Sequence, residues 1–287
     1  MMGTGTLSAR RLTGWIVLVA ALLVPGLAQA LEVKHPGVLR VAVYKEFPPF
    51  SDQDSGGIDV DIARALADKL GLKLDLAWAE ADEKVEDDLR NYVWKGHYMG
   101  NEIADLMLHM PVDPVFNERV KQVKLIAPYY AENLMVARDT KRIPKLENLE
   151  PFFQNHDIGV EVGGGSDTFL MALYAGRMRD HIKHFKNHEQ AIAALRKGEV
   201  SAVMGPRTEL EGLLGADKSG YSVNAIEMTG PVLSFWQPGV AVKADKPQLI
   251  EAIKQAVDGM VASGQMAEIF AKHHARYNAP RVEGAPH

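Results

Sequence analysis

Between Val38 and Trp78 the chain changes its hydrophobic period twice, and this change narrows the fold more than any other feature. Val38–Tyr44 (VLRVAVY) alternates apolar and polar residues at the spacing of a strand. From Ile58 the spacing becomes helical: Ile62, Leu66 and Leu70 recur every fourth residue, and Gly71 stands where a helix would end. Leu72–Trp78 (LKLDLAW) alternates again. Strand, helix and strand in so short a span form a parallel βαβ unit, which puts the chain in the α/β class.

The same grammar continues. Val85, Leu89 and Tyr92/Val93 share helical spacing, and Gly96–Gly100 is a loop. Ala104–Met110 is a strand apolar on both faces, hence central in its sheet. A polar loop then carries Arg119 toward Leu125-Ile126 and Pro128-Tyr129-Tyr130, and Asn133–Ala137 is extended. Thr140–Glu150 is charged and contains Pro144, a break that marks a crossing into a second lobe. That lobe runs through a strand at Asp157–Val162, a Gly163–Gly165 loop, and Ser166 and Asp167 as N-cap types before a helix at Thr168–Tyr174. A short strand at Ile182–Phe185, a helix at Glu189–Lys197, a strand at Val200–Met204 and a helix at Glu209–Leu214 follow. Val240–Val242 returns as a strand, Pro247 opens a helix at its first position, Met266–Phe270 begins the last one, and the tail from Asn278 is loose.

Two α/β lobes joined by two crossings describe a hinged clamshell, each lobe a mixed, mostly parallel sheet flanked by helices. The expected divisions are residues 31–134 and 234–287 for the first lobe and 135–233 for the second. Ligands of open α/β sheets sit beyond the carboxyl ends of the strands. Those ends carry Tyr44–Phe50, His109–Asp113, Gly163–Ser166 and Gly205–Arg207.

Composition sharpens the class. The chain has 287 residues, 47% hydrophobic and 24% charged, enough for two modest lobes. Residues 1–30 read as a secretory signal peptide: Arg10-Arg11, the apolar Trp15–Val24, and Ala28-Gln29-Ala30 as a cleavage site. The apolar run is shorter than the ~20 residues of a membrane span. Removing residues 1–30 takes away Arg10 and Arg11 and no acid, leaving 30 basic against 37 acidic residues, a net of −7. That balance argues against nucleic acid and against an anionic membrane surface. With no cysteine, the exported chain holds itself together by its core alone, and thiol catalysis is excluded.

Four segments resemble the periplasmic solute-binding proteins of the polar amino-acid type, which have the two-crossing hinge. They are GIDVDIARALADKLGLKL at Gly57–Leu74, NER-V-KQV…APYY at Asn117–Tyr130, IGVEVGGGSDTFL at Ile158–Leu170 and ALRKGEVSAVMG at Ala194–Gly205. The resemblance implies a type II clamshell, a monomer without cofactor, that closes on a small solute and presents it to an ABC transporter permease. It also implies roles. Arg119 would grip a ligand carboxylate bidentately. Gly164, Gly165 and Ser166, at the head of a second-lobe helix, would offer backbone N–H groups to the same anion. Tyr44, Phe47 and Phe50 would form an aromatic wall, although core packing under the loop explains the two phenylalanines equally well.

Two departures matter. The family's acid after the second-lobe strand, which pairs with a ligand ammonium, falls at Pro206, so an anion without a zwitterionic head is expected. The Tyr92–Asn101 and Met110–Asp113 segments resemble instead a divergent branch of accessory proteins for periplasmic quinoprotein alcohol dehydrogenases, which makes such a dehydrogenase the alternative partner.

Ten histidines raise the question of metal. His181, His184 and His188 would share one face only on a helix, and the local pattern is not helical. His97, His109 and Asp113 could meet in the cleft to hold a cation or donate to an anion, but satisfied structural histidines are the expected state. Glu46, His109 and Asp113 are the acid–base candidates should the chain be a cyclic-acid dehydratase, yet no nucleophile triad, metal box or phosphate loop appears, and a non-enzymatic protein is expected.

Overall fold

Alternating burial in the first strand separates two cores. In a computed structural model that describes residues 31–100, 102–146, 155–226 and 234–281, β1 (Val38–Tyr44) sends Leu39, Val41 and Val43 to one face of its sheet and Ala42 to the other. The expected signal peptide lies outside these residues. The first sheet has the order β4-β1-β5-β13-β6, from β4 (Lys73–Ala79), β5 (Leu106–Pro111), β6 (Val123–Ile126) and β13 (Pro238–Lys243). β4, β1 and β5 are parallel, and β13 is antiparallel to both of its neighbours, while β2 (Glu46–Phe47) and β3 (Ser51–Asp52) form a separate antiparallel pair after β1. β5 is central, as its two apolar faces require: Leu106 and Leu108 enter one core, Met107 and Met110 the other.

Helix α1 (Ile58–Lys69) closes the βαβ unit, with Leu70 as its cap residue and Gly71 in the left-handed region just beyond. Its start depends on Gly57. A Cβ there would lie 2.3 Å from the Phe50 carbonyl oxygen, at a φ of +147°. Residues 85–94 run as α2 (Val85–Leu89) and then a π-helical turn, burying Leu89, Tyr92 and Val93. The stretch read as a polar loop before Arg119 is partly a short helix, α3 (Pro114–Arg119). Asp113 caps it by accepting the Phe116 N–H at 2.7 Å, and Pro114 sits at its first turn.

The chain crosses at residues 127–131 and enters β7 (Glu132–Asp139) of the second sheet. That sheet has the order β11-β7-β10-β8-β9, with β8 (Ile158–Glu161), β9 (Ile182–Phe185), β10 (Ala202–Pro206) and β11 (Tyr221–Asn224). Helix α4 (Gly165–Ala172) starts three residues earlier than its sequence suggests. Gly164 takes the N-cap position, while Asp167 turns back to accept the Gly163 N–H at 2.8 Å. Helix α5 (His188–Lys197) is capped by Asn187 and ends at the left-handed Gly198; α6 is Arg207–Leu214. The return passes β12 (Phe235–Trp236), which pairs with β7, into β13, then α7 (Pro247–Ala262) and α8 (Gln265–Lys272).

The segment after α8 is not a loose tail through Arg281. The Ala131 N–H donates to Asn278 O at 2.9 Å, Asn278 Nδ2 donates to Ala131 O, and the Arg281 guanidinium covers the Phe235 ring at 3.8 Å. The C-terminal segment therefore lies along both crossings. It also touches α6, where Glu211 accepts the Arg276 N–H at 2.7 Å and Arg207 donates to Arg276 O at 2.9 Å. Among the described residues no helix is long and apolar enough to cross a membrane.

Candidate functional site

On the first lobe the site begins where β1 and β5 end. His109 stands two residues before the end of β5 with a φ of +64°, a left-handed conformation that a non-glycine residue keeps only under constraint. The constraint is a polar network. The His109 N–H donates to the Tyr129 hydroxyl at 3.0 Å, and that hydroxyl donates to Asp59 at 2.7 Å. His109 Nδ1 lies 3.0 Å from the other Asp59 oxygen, and Nε2 lies 3.3 Å from the Tyr130 hydroxyl. Asp59 sits in the first turn of α1, where the helix dipole favours a carboxylate. Phe47 and Phe50 pack edge-on against the imidazole at 4.8 and 4.2 Å between centroids. Both ring nitrogens are engaged, so His109 acts here as the post that holds the aromatic wall. Phe50 is fully buried, while Phe47 remains half-buried. Tyr44 donates to the buried Asp88 at 2.7 Å, and burial raises the pKa of both groups.

On the second lobe three elements converge. β8 delivers Glu161, the first residue of α5 is His188, and the first turn of α6 carries Glu209. His188 Nδ1 lies 2.8 Å from a carboxylate oxygen of each glutamate. Burial opposes the charged imidazolium, but Glu209 and then Glu161 outweigh it, and the His188 pKa is pushed up to about 10. The ring's other nitrogen has no partner and packs on Gly205, where a Cβ would lie 2.5 Å away. Directly after Glu161 comes the turn into α4, with Gly163 left-handed at a φ of +77° and Ser166 buried without a partner for its hydroxyl.

Between the lobes lies a cleft of about 670 Å³. Tyr44–Phe47 and Glu80 line it from the first lobe, and Glu161 and Lys186 from the second. Lys45 lies 3.5 Å from Glu80. The walls therefore present ammonium groups, carboxylates and the Phe47 ring to one volume. At the crossing, Glu132 is completely buried and accepts the N–H groups of Thr208 at 3.2 Å and Asn133 at 2.8 Å. Burial raises its carboxyl pKa to about 7, with those N–H groups and Arg207 offsetting part of the effect.

The structure brings Tyr44 and Phe47 to the cleft and places Phe50 and His109 immediately behind them. Gly164, Gly165 and Ser166 follow the cleft residue Glu161 at the head of α4. Arg119 stands apart. It ends α3 on the surface with its side chain 64% exposed, lies 2.5 Å from Glu86 and 5.5 Å from the Phe116 ring, and does not line the cleft. Asp113 is occupied as the α3 cap. His97 accepts the Met99 N–H within its own loop. His181 and His184 pair separately with Asp157 and Asp167. Sequence reasoning missed Glu80, Glu161, Lys186 and the Glu209 partner of His188. Glu209, three residues past Pro206, was the available signal.

Residues 112–276 match the model of bacterial extracellular solute-binding proteins, family 3. The chain is 26% identical over 235 residues to a probable ABC transporter arginine-binding protein of Chlamydia trachomatis, covering 79% of this chain and 81% of that one. It is 21% identical over 253 residues to a probable histidine-binding protein of Neisseria gonorrhoeae, with 86% and 87% covered. Among solved structures, an ancestral cationic amino acid solute binding protein superposes with a TM-score of 0.65 at 21% identity, covering 83% of this chain and 96% of that one. The similarity establishes the type II clamshell fold.

Proposed function

The chain belongs to family 3 of the bacterial extracellular solute-binding proteins, and from that premise we propose that it closes in the periplasm on one amino-acid-like solute and presents it to an ABC transporter permease. The observation that carries this reading is the charge pattern of the cleft. Lys45 and Lys186 supply cations, Glu46, Glu80 and Glu161 supply carboxylates, and Phe47 supplies an apolar face. A zwitterion uses both signs, whereas an anion alone would meet three carboxylates. Pro206 removes the family's acid from one position, but glutamates on other elements bring negative charge to the cleft. The relatives named for histidine and arginine favour the same class.

In this reading the solute carboxylate goes to Lys186 and the N–H groups at the head of α4, and the ammonium goes to the first-lobe glutamates. Contacts from both lobes are needed, because a ligand shifts the open–closed balance only by its differential affinity for the two states. His109, with both nitrogens occupied and two phenyl rings over it, supports a binding wall better than an acid–base catalyst.

The test is a thermal-unfolding screen of protein stripped of carried-over solute by unfolding and refolding. The panel holds the common amino acids, cystine and small dicarboxylates. The matching solute at ~100 times its Kd stabilises the fold by ~3 kcal/mol. A response to dicarboxylates alone would reject the zwitterion.

A further inference from the structure

We propose that Glu161, His188 and Glu209 form a divalent transition-metal site in the floor of the second lobe, with its open coordination position facing the cleft. Among the described residues this is the one group of three or more His, Cys, Asp or Glu side chains whose donor atoms lie within 4.8 Å of one another. The donors are one imidazole nitrogen and two carboxylate oxygens, a set that suits zinc and its first-row neighbours and suits magnesium poorly. With the imidazole neutral the three side chains carry two negative charges, which a dication balances.

The geometry is close to what such an ion needs. Nδ1 is 2.8 Å from each carboxylate oxygen. Bonds of ~2.0–2.2 Å in a tetrahedron hold donors ~3.3 Å apart, so each carboxylate has to withdraw by about half an ångström. Glu161, 38% exposed, has room to do so, while the 7% exposed His188 and 9% exposed Glu209 side chains form the fixed part of the site. Gly205 locks the ring from behind: no side chain stands between its backbone and Nε2, and this leaves Nδ1 as the nitrogen turned toward the glutamates. Three elements that meet only in the folded lobe provide the three ligands, so the site is preformed and does not depend on a flexible loop. Glu161 also lines the cleft, so the fourth position opens into the volume where a solute binds. A solute amine or carboxylate can complete the coordination there.

The experiment uses the untagged mature chain, treated with a chelator and desalted, and titrated with zinc by calorimetry without any solute. Cobalt is bound in parallel, because its visible absorption reports four-coordinate geometry. The expected result is one equivalent of zinc, tetrahedral cobalt, no magnesium binding, and affinity reduced about tenfold or more in Glu161→Gln. Glu161 is partly exposed, so that variant keeps its fold; His188→Asn, checked by circular dichroism, should abolish the site. Zinc binding that Glu161→Gln and His188→Asn leave unchanged would place the ion elsewhere and overturn the proposal. Failure to bind zinc at all would overturn it too, leaving His188 as an imidazolium bridging two carboxylates. Solute binding measured with chelator present is a separate readout, so loss of the metal site does not decide the amino-acid reading.

Discussion

Arg119 and Glu132 show how far a residue's role depends on where the chain folds it. Arg119 matches a ligand-gripping position by its neighbours in sequence, yet it ends on the surface against Glu86, with 64% and 39% of the two side chains exposed. A pair this wet is worth little. Arg119→Ala should change stability by less than ~0.5 kcal/mol and leave solute affinity at the wild-type value, as read by denaturant titration and calorimetry. Glu132 is the opposite case, an unremarkable letter that becomes a buried carboxyl with a pKa of about 7 against an ordinary 4.5. The native state then holds a proton that the unfolded chain releases, so stability falls as pH rises from the unfolded pKa through about 7, and the full cost is present above that window. Glu132→Gln removes the charge and keeps one acceptor oxygen for the two N–H groups, of Thr208 and Asn133, that the carboxylate serves. Chemical denaturation should find it more stable than wild type by on the order of 3 kcal/mol near pH 8 and nearly equal near pH 4. A third residue is set by space and backbone conformation together: Gly57→Ala must push a methyl group into the Phe50 carbonyl at a φ of +147° and should lose on the order of 1–3 kcal/mol by denaturant titration.

At the scale of elements, periodic segments were readable and aperiodic ones were not. β1, α1 and β4 follow from the change of period at Ile58, and β5 as a central strand follows from its two apolar faces. Helix α3 escaped because six residues carry too few turns for a period to show; its one signature was the Asp113-Pro114 start. That signature makes a prediction. Asp113→Ala loses a cap bond and should cost ~1 kcal/mol in denaturant titration without altering solute binding. The α4 boundary was misplaced for a related reason: Asp167 is a favoured cap residue, but its carboxylate bonds backward to Gly163, so the helix starts earlier. The candidate site was half legible. Tyr44 and Phe47 lie at the end of a strand that sequence pattern locates. Glu161, His188 and Glu209 are separated by long stretches and lie on three elements, and only the order of strands β8 and β10 in the sheet brings them within 2.8 Å of a shared nitrogen. No local pattern encodes that meeting.

For the whole molecule, the two sheets, the two crossings and the C-terminal segment laid along them make a hinge, and the cleft between the lobes has charges of both signs on its walls. Closure on a zwitterion follows if both walls bind the same molecule. Calorimetric titration of the refolded, solute-free chain with the amino acid found by the unfolding screen tests this most directly, carried out on wild type, Lys186→Ala and Phe47→Ala. These two residues stand on opposite lobes; Lys186 is exposed, and Phe47 is half-buried against the edge of the first-lobe core, so its variant is checked for fold by circular dichroism. The expected result is one solute per chain, with each substitution costing ~1–3 kcal/mol of binding free energy, about five- to 150-fold in Kd. If no amino acid binds, the zwitterion reading fails; if both variants bind it as tightly as wild type does, the cleft between the lobes is not where this protein holds its solute.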